Sequence, residues 1–327
     1  MFIQHSQQLV SIIVATFNSA PYVIETLESA KAQTWQNIEL IVSDDCSADN
    51  TVAVCRDWMD KNENRFVRTE LITVPKNTGV SANCNRCIAA SNAGWIKMIA
   101  GDDILFPSCI DDNMQFVQNN PDAAIIFSQV KLYKNNFFPE NFIAQDPLIY
   151  PMNIMNPAYT SADQYKLLLL SDRITFTPSF FFKKQTIVDA GGYDEDNKLA
   201  EDYPMWLKLT RQGTRFHYFH KPTVGYRRHE KAANNIAEKL LFKPLFLKTE
   251  QLRKKIVYPY LPWDIACAKK FEYNVSLLFY KMGMNKSSRI YRGLYKTSVV
   301  LLNPFKYFIY LKKHLLNLKK TDLFYKD

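Results

Sequence analysis

The chain has 327 residues, of which 47% are hydrophobic and 22% are charged, and only nine are glycine. This length and apolar content exclude a disordered or fibrous protein and allow one large core with an added smaller unit. No uncharged apolar run approaches the ~18 residues of a membrane-spanning helix, and six cysteines without a signal peptide favour free thiols. We therefore expect a cytoplasmic protein without a disulfide framework.

The charge is divided unevenly along the chain. Residues 1–230 carry 21 Lys+Arg against 26 Asp+Glu, a net of −5, whereas residues 231–327 carry 20 against 6, a net of +14. Such asymmetry indicates an acidic partner, either a membrane surface or a nucleic acid, although a solvated helical face has the same composition.

The N-terminal half alternates predicted strands with predicted helices. Strands are predicted at residues 10–18, 38–45, 68–75 and 94–103, and helices at 19–33, 47–61 and 81–93, the first with Ser19 as its N-cap. This βαβαβαβ order predicts an α/β fold with a mostly parallel, doubly wound, Rossmann-like sheet and helices on both faces. A further strand is expected within 171–184, and a helix at 199–213.

Polar side chains follow each of these four strands, in the stretches ATFN, SDDCSADN, PKNTG and GDD. Ligands of doubly wound sheets bind beyond the carboxyl ends of the strands, so we expect these side chains to share one pocket. Neither a G-x-G-x-x-G turn nor a P-loop is present, and dinucleotide and P-loop chemistry therefore lose their main support. The adjacent Asp102 and Asp103 suit Mg²⁺ or Mn²⁺ that bridges carboxylate and diphosphate oxygens.

Taken together, these motifs resemble the family 2 glycosyltransferases, which have the GT-A fold. The likeness covers about residues 9–230 and lies in SIIVATFN, QTWQNIELIVSDDCSADNT, NTGVSANCNRCI, GWIKMIAGDD, GGYDED, AEDYPMWLKL and YRRHE. It implies inverting transfer of a sugar from a nucleotide-diphosphate sugar, with a UDP-sugar as the favoured donor, to an acceptor hydroxyl. It also implies a catalytic domain over 1–230, with a nucleotide-sugar half at 1–105 and an acceptor half at 106–230.

The expected site residues follow from these motifs. Those expected to bind the nucleotide sugar are Thr16, Phe17, Asn18, Asp44, Asp45, Asn77, Asp102 and Arg228. In the family pattern Asp45 binds the base, Asp103 coordinates the metal on the diphosphate, and Asp102 orients the ribose or a metal-bound water. His229 is a candidate third metal ligand, with a structural role as the alternative, whereas Arg227 is expected to face solvent.

The acceptor side is expected to hold the catalytic base. Asp202 matches that base in the family, and Glu201 is placed to position the acceptor. Inversion needs one carboxylate to take the acceptor proton, and the metal-neutralised diphosphate leaves without a proton donor. The sequence departs from the family at Cys84, where relatives often have an Arg, and at Gly101, because the first carboxylate of the D-x-D-like motif is missing.

The basic region at 231–327 is expected to be mostly helical and rich in aromatic residues. Near its end, one helical side carries Tyr307, Phe308, Leu311, Leu315 and Leu318, and the other carries Lys306, Lys312, Lys313, Lys319 and Lys320. This pattern favours a peripheral position on the anionic inner face of the cytoplasmic membrane, and no nucleic-acid motif accompanies the charge. The acceptor is then expected to be a glycan, lipid-linked, as in O-antigen or capsule synthesis.

Two other functions are compatible with an α/β sheet that carries carboxylates. A nucleotidyltransferase would form a nucleotide sugar, but the Gly- and Arg/Lys-rich activation loop of that class is missing near the N-terminus. A non-catalytic nucleotide- or sugar-binding module would bind without turnover, and the presence of both Asp103 and Asp202 argues against it.

Overall fold

The structure is a computed structural model that describes residues 7–150, 153–197, 201–229, 240–242, 244–286 and 288–325. The chain divides into two compact units. The first unit comprises Met1–Gln164 and Arg173–Glu230, and the second comprises Tyr165–Asp172 and Lys231–Asp327.

The first unit is built on one mixed sheet. Its described strands are β1 (Val10–Thr16), β2 (Ile38–Asp44), β3 (Arg68–Thr73), β4 (Trp95–Ala100), β5 (Ile104–Leu105), β6 (Ile125–Lys134), β7 (Phe142–Asp146), β8 (Phe181–Lys183) and β9 (Phe216–Arg228). The order is β3-β2-β1-β4-β8-β6-β9-β5, and β7 pairs with β6. The first four strands are parallel as predicted, whereas β8 is antiparallel to both of its neighbours.

Helices cover the sheet of the first unit. They are α1 (Val23–Lys31), α2 (Thr51–Asn62), α3 (Val80–Ala90), α4 (Cys109–Asn119), α5 (Ser161–Leu170, which continues into the second unit), α6 (Lys184–Asp189) and α7 (Asp202–Arg211). The α/β class is thus confirmed. Ser19 is not the N-cap of α1, because Tyr22 takes that position and the Ser19 carbonyl accepts hydrogen bonds from the next turn.

The register of the parallel strands places their carboxyl ends at one edge. Thr16 lies opposite Asp44, and Asp44 lies opposite Thr73, while Ala15 pairs with Ala100. The strands β1 and β2 are apolar and buried on both faces, as a parallel sheet between helices requires. Polar residues at these strand ends therefore meet at a single edge, where the sequence placed the pocket.

The strand predicted within 171–184 is much shorter than expected. A 3₁₀ turn occupies Thr177–Ser179, and only Phe181–Lys183 pairs with the sheet. Pro178 lacks a backbone N–H and cannot donate to a sheet. Its carbonyl instead accepts a hydrogen bond of 2.6 Å from Nζ of the buried Lys97.

The second unit is helical, as the sequence predicted. Its helices are α8 (Pro244–Ile256), α9 (Trp263–Lys281), α10 (Arg289–Lys296), α11 (Pro304–Leu315) and α12 (Leu318–Thr321), and a π-helical turn spans Thr297–Leu301. The buried carboxylate of Asp264 accepts hydrogen bonds from Lys312 Nζ at 3.0 Å and from the Tyr325 hydroxyl at 2.9 Å. Within the described ranges, no helix combines the length and apolar content that crossing a membrane requires.

Candidate active site

A cavity of about 290 Å³ lies at the carboxyl ends of the parallel strands. It is lined by Ala15, Thr16, Phe17, Asp45, Asn77, Gly79, Val80 and Asn83. Four of the expected donor-binding residues, namely Thr16, Phe17, Asp45 and Asn77, are therefore brought together. Phe17 keeps 51% of its surface exposed, so an aromatic ring in the lining is available for stacking.

Asp45 shapes one wall of the cavity. Its carboxylate accepts hydrogen bonds from the Thr78 hydroxyl at 2.6 Å, from Gly79 N at 2.7 Å and from Arg86 Nη2 at 2.8 Å. Its carbonyl also accepts a bond from Asn77 Nδ2 at 3.1 Å. Burial alone raises the pKa of Asp45, but these hydrogen bonds outweigh burial and hold the pKa below the usual range. Asp45 is thus an ionised anchor for the loop that lines the cavity.

Asp44 and Asn18 lie outside the cavity lining. The Asp44 carboxylate accepts hydrogen bonds from the Thr16 hydroxyl at 2.9 Å and from Ser47 N at 2.8 Å. Asn18 has a positive φ of 51° and accepts a hydrogen bond from Ala48 N at 2.8 Å. Both residues tie the turn after β1 to the turn after β2, which fixes the position of Phe17 between them.

The two adjacent aspartates after β4 have different environments. Asp103 is buried, and its Oδ1 accepts a hydrogen bond of 2.8 Å from the backbone N of Arg227. Burial, and then the neighbouring charge of Asp102, raises the pKa of Asp103 well above the usual range. The Asp102 side chain keeps 31% of its surface exposed, and its Oδ2 lies 3.2 Å from His229 Nε2. The accessible carboxylate beside the imidazole is therefore Asp102, whereas Asp103, the metal ligand expected from the family pattern, is buried.

Arg227 does not face solvent as the sequence predicted. It is 2% exposed, and its guanidinium donates to the Asp102 carbonyl at 2.7 Å, to the Asn135 carbonyl at 2.6 Å and to Glu25 Oε2 at 2.7 Å. It also lies over the Tyr22 ring, with 4.8 Å between Cζ and the centroid. The Arg fork satisfies three acceptors at once and joins the turn after β4 to α1 and to the loop after β6.

Tyr22 was missed in the sequence. Its ring lies 4.7 Å from the His229 ring, centroid to centroid, and under the guanidinium of Arg227. It therefore limits the orientation of His229 beside Asp102. Its position just before a predicted helix gave no signal of this contact, which joins residues far apart in the sequence.

Glu201 and Asp202 begin helix α7, with Glu201 at the N-cap and Asp202 in the first turn, and both are half-buried. Their charges raise the pKa of the buried Tyr193 and of the Cys84 thiol, although burial is the main cause in both cases. Asp202 thus lies near α3, opposite the position where relatives often carry an Arg.

The pKa of Tyr226 responds to carboxylates from two parts of the site. Burial raises the pKa of Tyr226, and the charges of Asp103, Asp102 and Asp202 raise it further, while the charge of Arg228 lowers it. The charges of Asp102 and Asp202 therefore both act on the same side chain. The sequence gave no reason to select Tyr226, because it precedes the Arg residues as an ordinary strand aromatic.

Asn85 links the donor side to the loop before α7. Its Nδ2 donates to the Tyr193 carbonyl at 3.0 Å and to Glu195 Oε1 at 2.8 Å, and its Oδ1 accepts a hydrogen bond of 2.9 Å from Tyr193 N. Gly192, with φ +69°, leaves room for this side chain, since a Cβ there would lie 2.8 Å from Asn85 Oδ1.

Comparison with solved structures identifies the class of protein. TarS residues 1–349 from S. aureus in complex with UDP-GlcNAc superimposes with a TM-score of 0.58 and 16% identity, over 98% of this chain and 90% of that one. The chain spans 54% of the length of the TarS chain in a further crystal structure. The sheet order and these superpositions show a GT-A fold, with carboxylates at the carboxyl edge of the sheet.

The sequence comparisons then give the family. The Glycosyl transferase family 2 profile matches residues 11–184, and the chain belongs to this family. An uncharacterized glycosyltransferase of Rickettsia typhi is 25% identical over 319 residues, which is 96% of this chain and 92% of that protein. The succinoglycan biosynthesis protein ExoO of Rhizobium meliloti is 34% identical over 115 residues, which is 35% of this chain and 30% of that protein.

Proposed function

We propose that this glycosyltransferase transfers a sugar from a UDP-sugar to a hydroxyl of a glycan acceptor, with inversion and with a divalent metal. The carrying observation is the cavity at the carboxyl edge of the sheet, where the Ala15 carbonyl accepts a hydrogen bond from the backbone N of Gly101, the residue before Asp102. The likeness to TarS, whose structure contains UDP-GlcNAc, supports a UDP-sugar donor. The likeness to a succinoglycan biosynthesis protein supports a polysaccharide product.

The nucleotide occupies the cavity in this proposal. The exposed ring of Phe17 stacks on the base, and Thr16 and Asn77 provide polar contacts along the same lining. Asp45 keeps the wall in place through its bonds to Thr78 and Gly79. Asp44 and Asn18 contribute indirectly, because they hold the turns that position Phe17.

The Asp102–His229 pair suits Mn²⁺ or Mg²⁺. A carboxylate oxygen and an imidazole nitrogen 3.2 Å apart offer one hard and one borderline donor, a set that favours Mn²⁺ over Mg²⁺. No group of three or more such side chains occurs among the described residues, and in our proposal the diphosphate oxygens complete the coordination. Neutralisation of the leaving diphosphate is the chemistry that the bound cation supplies. Arg228 adds positive charge on the same side.

Asp202 is the proposed catalytic base. Its carboxylate takes the proton from the acceptor hydroxyl while that oxygen attacks the anomeric carbon from the side opposite the diphosphate. The charges of Asp202 and Asp102 both raise the pKa of Tyr226, and this shared influence supports a base on the same side of the site as Asp102. Glu201, at the N-cap of the same helix, contacts the acceptor.

The acceptor in this proposal is a lipid-linked glycan of a bacterial surface polysaccharide. The basic C-terminal region, with its net charge of +14, supports a peripheral position on the anionic inner face of the cytoplasmic membrane. A lipid-linked acceptor held at that surface is presented at a high effective concentration.

The test is turnover of UDP-sugars with Mn²⁺ or Mg²⁺ and a lipid-linked glycan. Wild-type protein should release UDP and extend the glycan, and Asp202→Asn should lose at least 10³-fold in kcat (roughly the contribution of a general base) while it still binds UDP. UDP binding by calorimetry without turnover of any sugar nucleotide would instead identify a binding module. Release of diphosphate from UTP and a sugar phosphate would identify a nucleotidyltransferase.

A further inference from the structure

The second unit carries an exposed apolar surface, which we call the docking face. It consists of Trp263 in α9, Leu301 in the π-helical turn, and Tyr307, Phe308, Leu311 and Leu315 in α11. The Trp263 and Phe308 rings lie 5.0 Å apart, and the Tyr307 hydroxyl donates to the Leu301 carbonyl at 2.8 Å. The three segments therefore form one contiguous surface. Exposed apolar surfaces of this kind mark interaction sites.

Helix α11 packs with the side that carries Phe305, Ile309 and Lys312, which are all half-buried, and it leaves two of its leucines exposed. Lys312 is half-buried and binds the buried carboxylate of Asp264, with Nζ and Oδ2 3.0 Å apart. By contrast, 55% of Leu311 and 80% of Leu315 is exposed. A helix that only covered a core would bury the leucines and leave the lysine in water. The ion pair instead helps to fix α11 with Leu311 and Leu315 outward.

The charge of the second unit indicates what covers this surface. Between residues 240 and 325 the four carboxylates are Glu250, Asp264, Glu272 and Asp322, and none of them is exposed. Exposed cations occur at the end of α9, in the following loop and in α10, at Lys281, Lys286, Arg289 and Lys296. An apolar face on a unit with positive exposed charge matches the interface of an anionic bilayer, where rings and leucines enter the acyl boundary and cations contact headgroups.

We propose that the docking face inserts into the interfacial layer of a membrane that contains anionic phospholipid. This proposal rests on the proposed function for its biological purpose. It adds the residues that hold the enzyme beside a lipid-linked acceptor. Insertion of apolar side chains predicts a component of binding that salt does not screen, in addition to a screened component from the cations.

The experiment is co-sedimentation of the full chain with vesicles of phosphatidylglycerol and phosphatidylcholine, or of phosphatidylcholine alone, in 0.1 M and 1 M NaCl. Wild-type protein should bind the anionic vesicles in both salts, more weakly in 1 M NaCl. The triple variant Phe308→Ala, Leu311→Ala, Leu315→Ala should lower the partition coefficient roughly 100-fold. A matched triple variant in the first unit, Phe142→Ala, Ile143→Ala, Leu148→Ala, removes equally exposed apolar side chains and should leave binding unchanged.

Each other outcome overturns the proposal. Loss of all vesicle binding in 1 M NaCl would show that the face does not insert. Equal vesicle binding by the two triple variants would show the same. A wild-type dimer by light scattering that the α11 variant abolishes, without vesicle binding, would identify a second copy as the occupant. Leu315→Glu, at the most exposed position of the face, repeats the test if the triple variant does not fold. Asp202→Asn should bind vesicles normally, so failure of the proposed catalysis and failure of docking are distinguishable.

Discussion

The buried carboxylate of Asp103 accepts a hydrogen bond from the backbone amide of Arg227, with Oδ1 and N 2.8 Å apart. The Thr26 hydroxyl donates to the Asp103 carbonyl at 2.6 Å, so this residue joins α1, the turn after β4 and the end of β9. Asp102 is held by the same turn but directs its carboxylate to His229. Two adjacent aspartates thus have different environments, one buried within the turn and one accessible beside an imidazole, and in our proposal the accessible one meets the ligand.

This difference predicts opposite behaviour for two conservative variants. Asp102→Asn should weaken Mn²⁺-dependent UDP binding by at least about tenfold and lower turnover further, because a charged metal ligand is lost. Asp103→Asn should keep Mn²⁺-dependent UDP binding within about threefold, since the amide oxygen can still accept from Arg227 N. Calorimetry with UDP, with and without Mn²⁺, measures both. The reverse order of effects would restore Asp103 as the ligand that the motif pattern indicated.

Arg227 should matter for stability as well as for activity. Arg227→Lys keeps the charge but cannot satisfy three acceptors with a planar fork, and we expect a loss of about 2–4 kcal/mol in the free energy of unfolding. The matched variant Arg228→Lys changes an exposed neighbour and should stay within about 0.5 kcal/mol of wild type. Urea denaturation of the two variants provides the comparison. Equal stabilities would mean that the buried fork contributes nothing.

The local pattern predicted the first four strands and the edge where they end. A continuous run rich in β-branched residues, such as residues 10–16, can be recognised as a strand because parallel strands are apolar on both faces. The strand expected within 171–184 was predicted without its short length or its antiparallel direction, since β8 has only three residues and follows a turn fixed by Lys97 from another strand. Local periodicity contains no trace of such a long-range contact.

The candidate site was also predicted only in part. Phe17 and Asn77 could be selected because polar or aromatic residues directly after strands reach the carboxyl edge. The difference in burial between Asp102 and Asp103 could not be predicted, because both residues have the same chemistry and adjacent positions. Arg227 was misjudged for a related reason, since its three acceptors come from segments that tertiary packing alone brings together.

Phe17 should contribute directly to nucleotide affinity. Stacking of a base on an aromatic ring is worth about 1–3 kcal/mol, so Phe17→Ala should weaken UDP binding about 5- to 150-fold. Val67→Ala is the control, because Val67 is 64% exposed but precedes β3 at the opposite end of the strands. Titration calorimetry with UDP tests both. Unchanged affinity in Phe17→Ala would remove the ring from the base-binding site.

Alanine substitutions at two neighbouring glycines distinguish the cost of backbone strain from the cost of a clash with Asn85. Gly191 and Gly192 both have positive φ, but only at Gly192 does an added Cβ meet Asn85 Oδ1, at 2.8 Å. Gly191→Ala should cost about 1 kcal/mol of backbone strain. Gly192→Ala should cost about 1–2 kcal/mol more and lower kcat, because it displaces a side chain that makes three hydrogen bonds.

The double variant Asn85→Ala, Gly192→Ala completes this test by thermal denaturation. Once the Asn85 side chain is removed, the loss of stability caused by Gly192→Ala should fall to the loss caused by Gly191→Ala. If it stays, the penalty comes from the backbone and not from the Asn85 contact.

Lys97 should give the stability a distinctive pH dependence. It is fully buried, and burial lowers its pKa to about 8, whereas an unfolded chain has a Lys pKa of about 10.4. Between these values the unfolded chain binds a proton that the folded chain does not, so the contribution of Lys97 to stability rises with pH across this window. Below pH 8 both states are protonated, and the full cost of a buried charge is present.

The difference in unfolding free energy between wild type and Lys97→Met should therefore rise from pH 7.5 to 10, by up to about 1.4 kcal/mol per pH unit. Urea denaturation at several pH values measures this difference, and a flat curve would show that Lys97 stays charged in the folded protein.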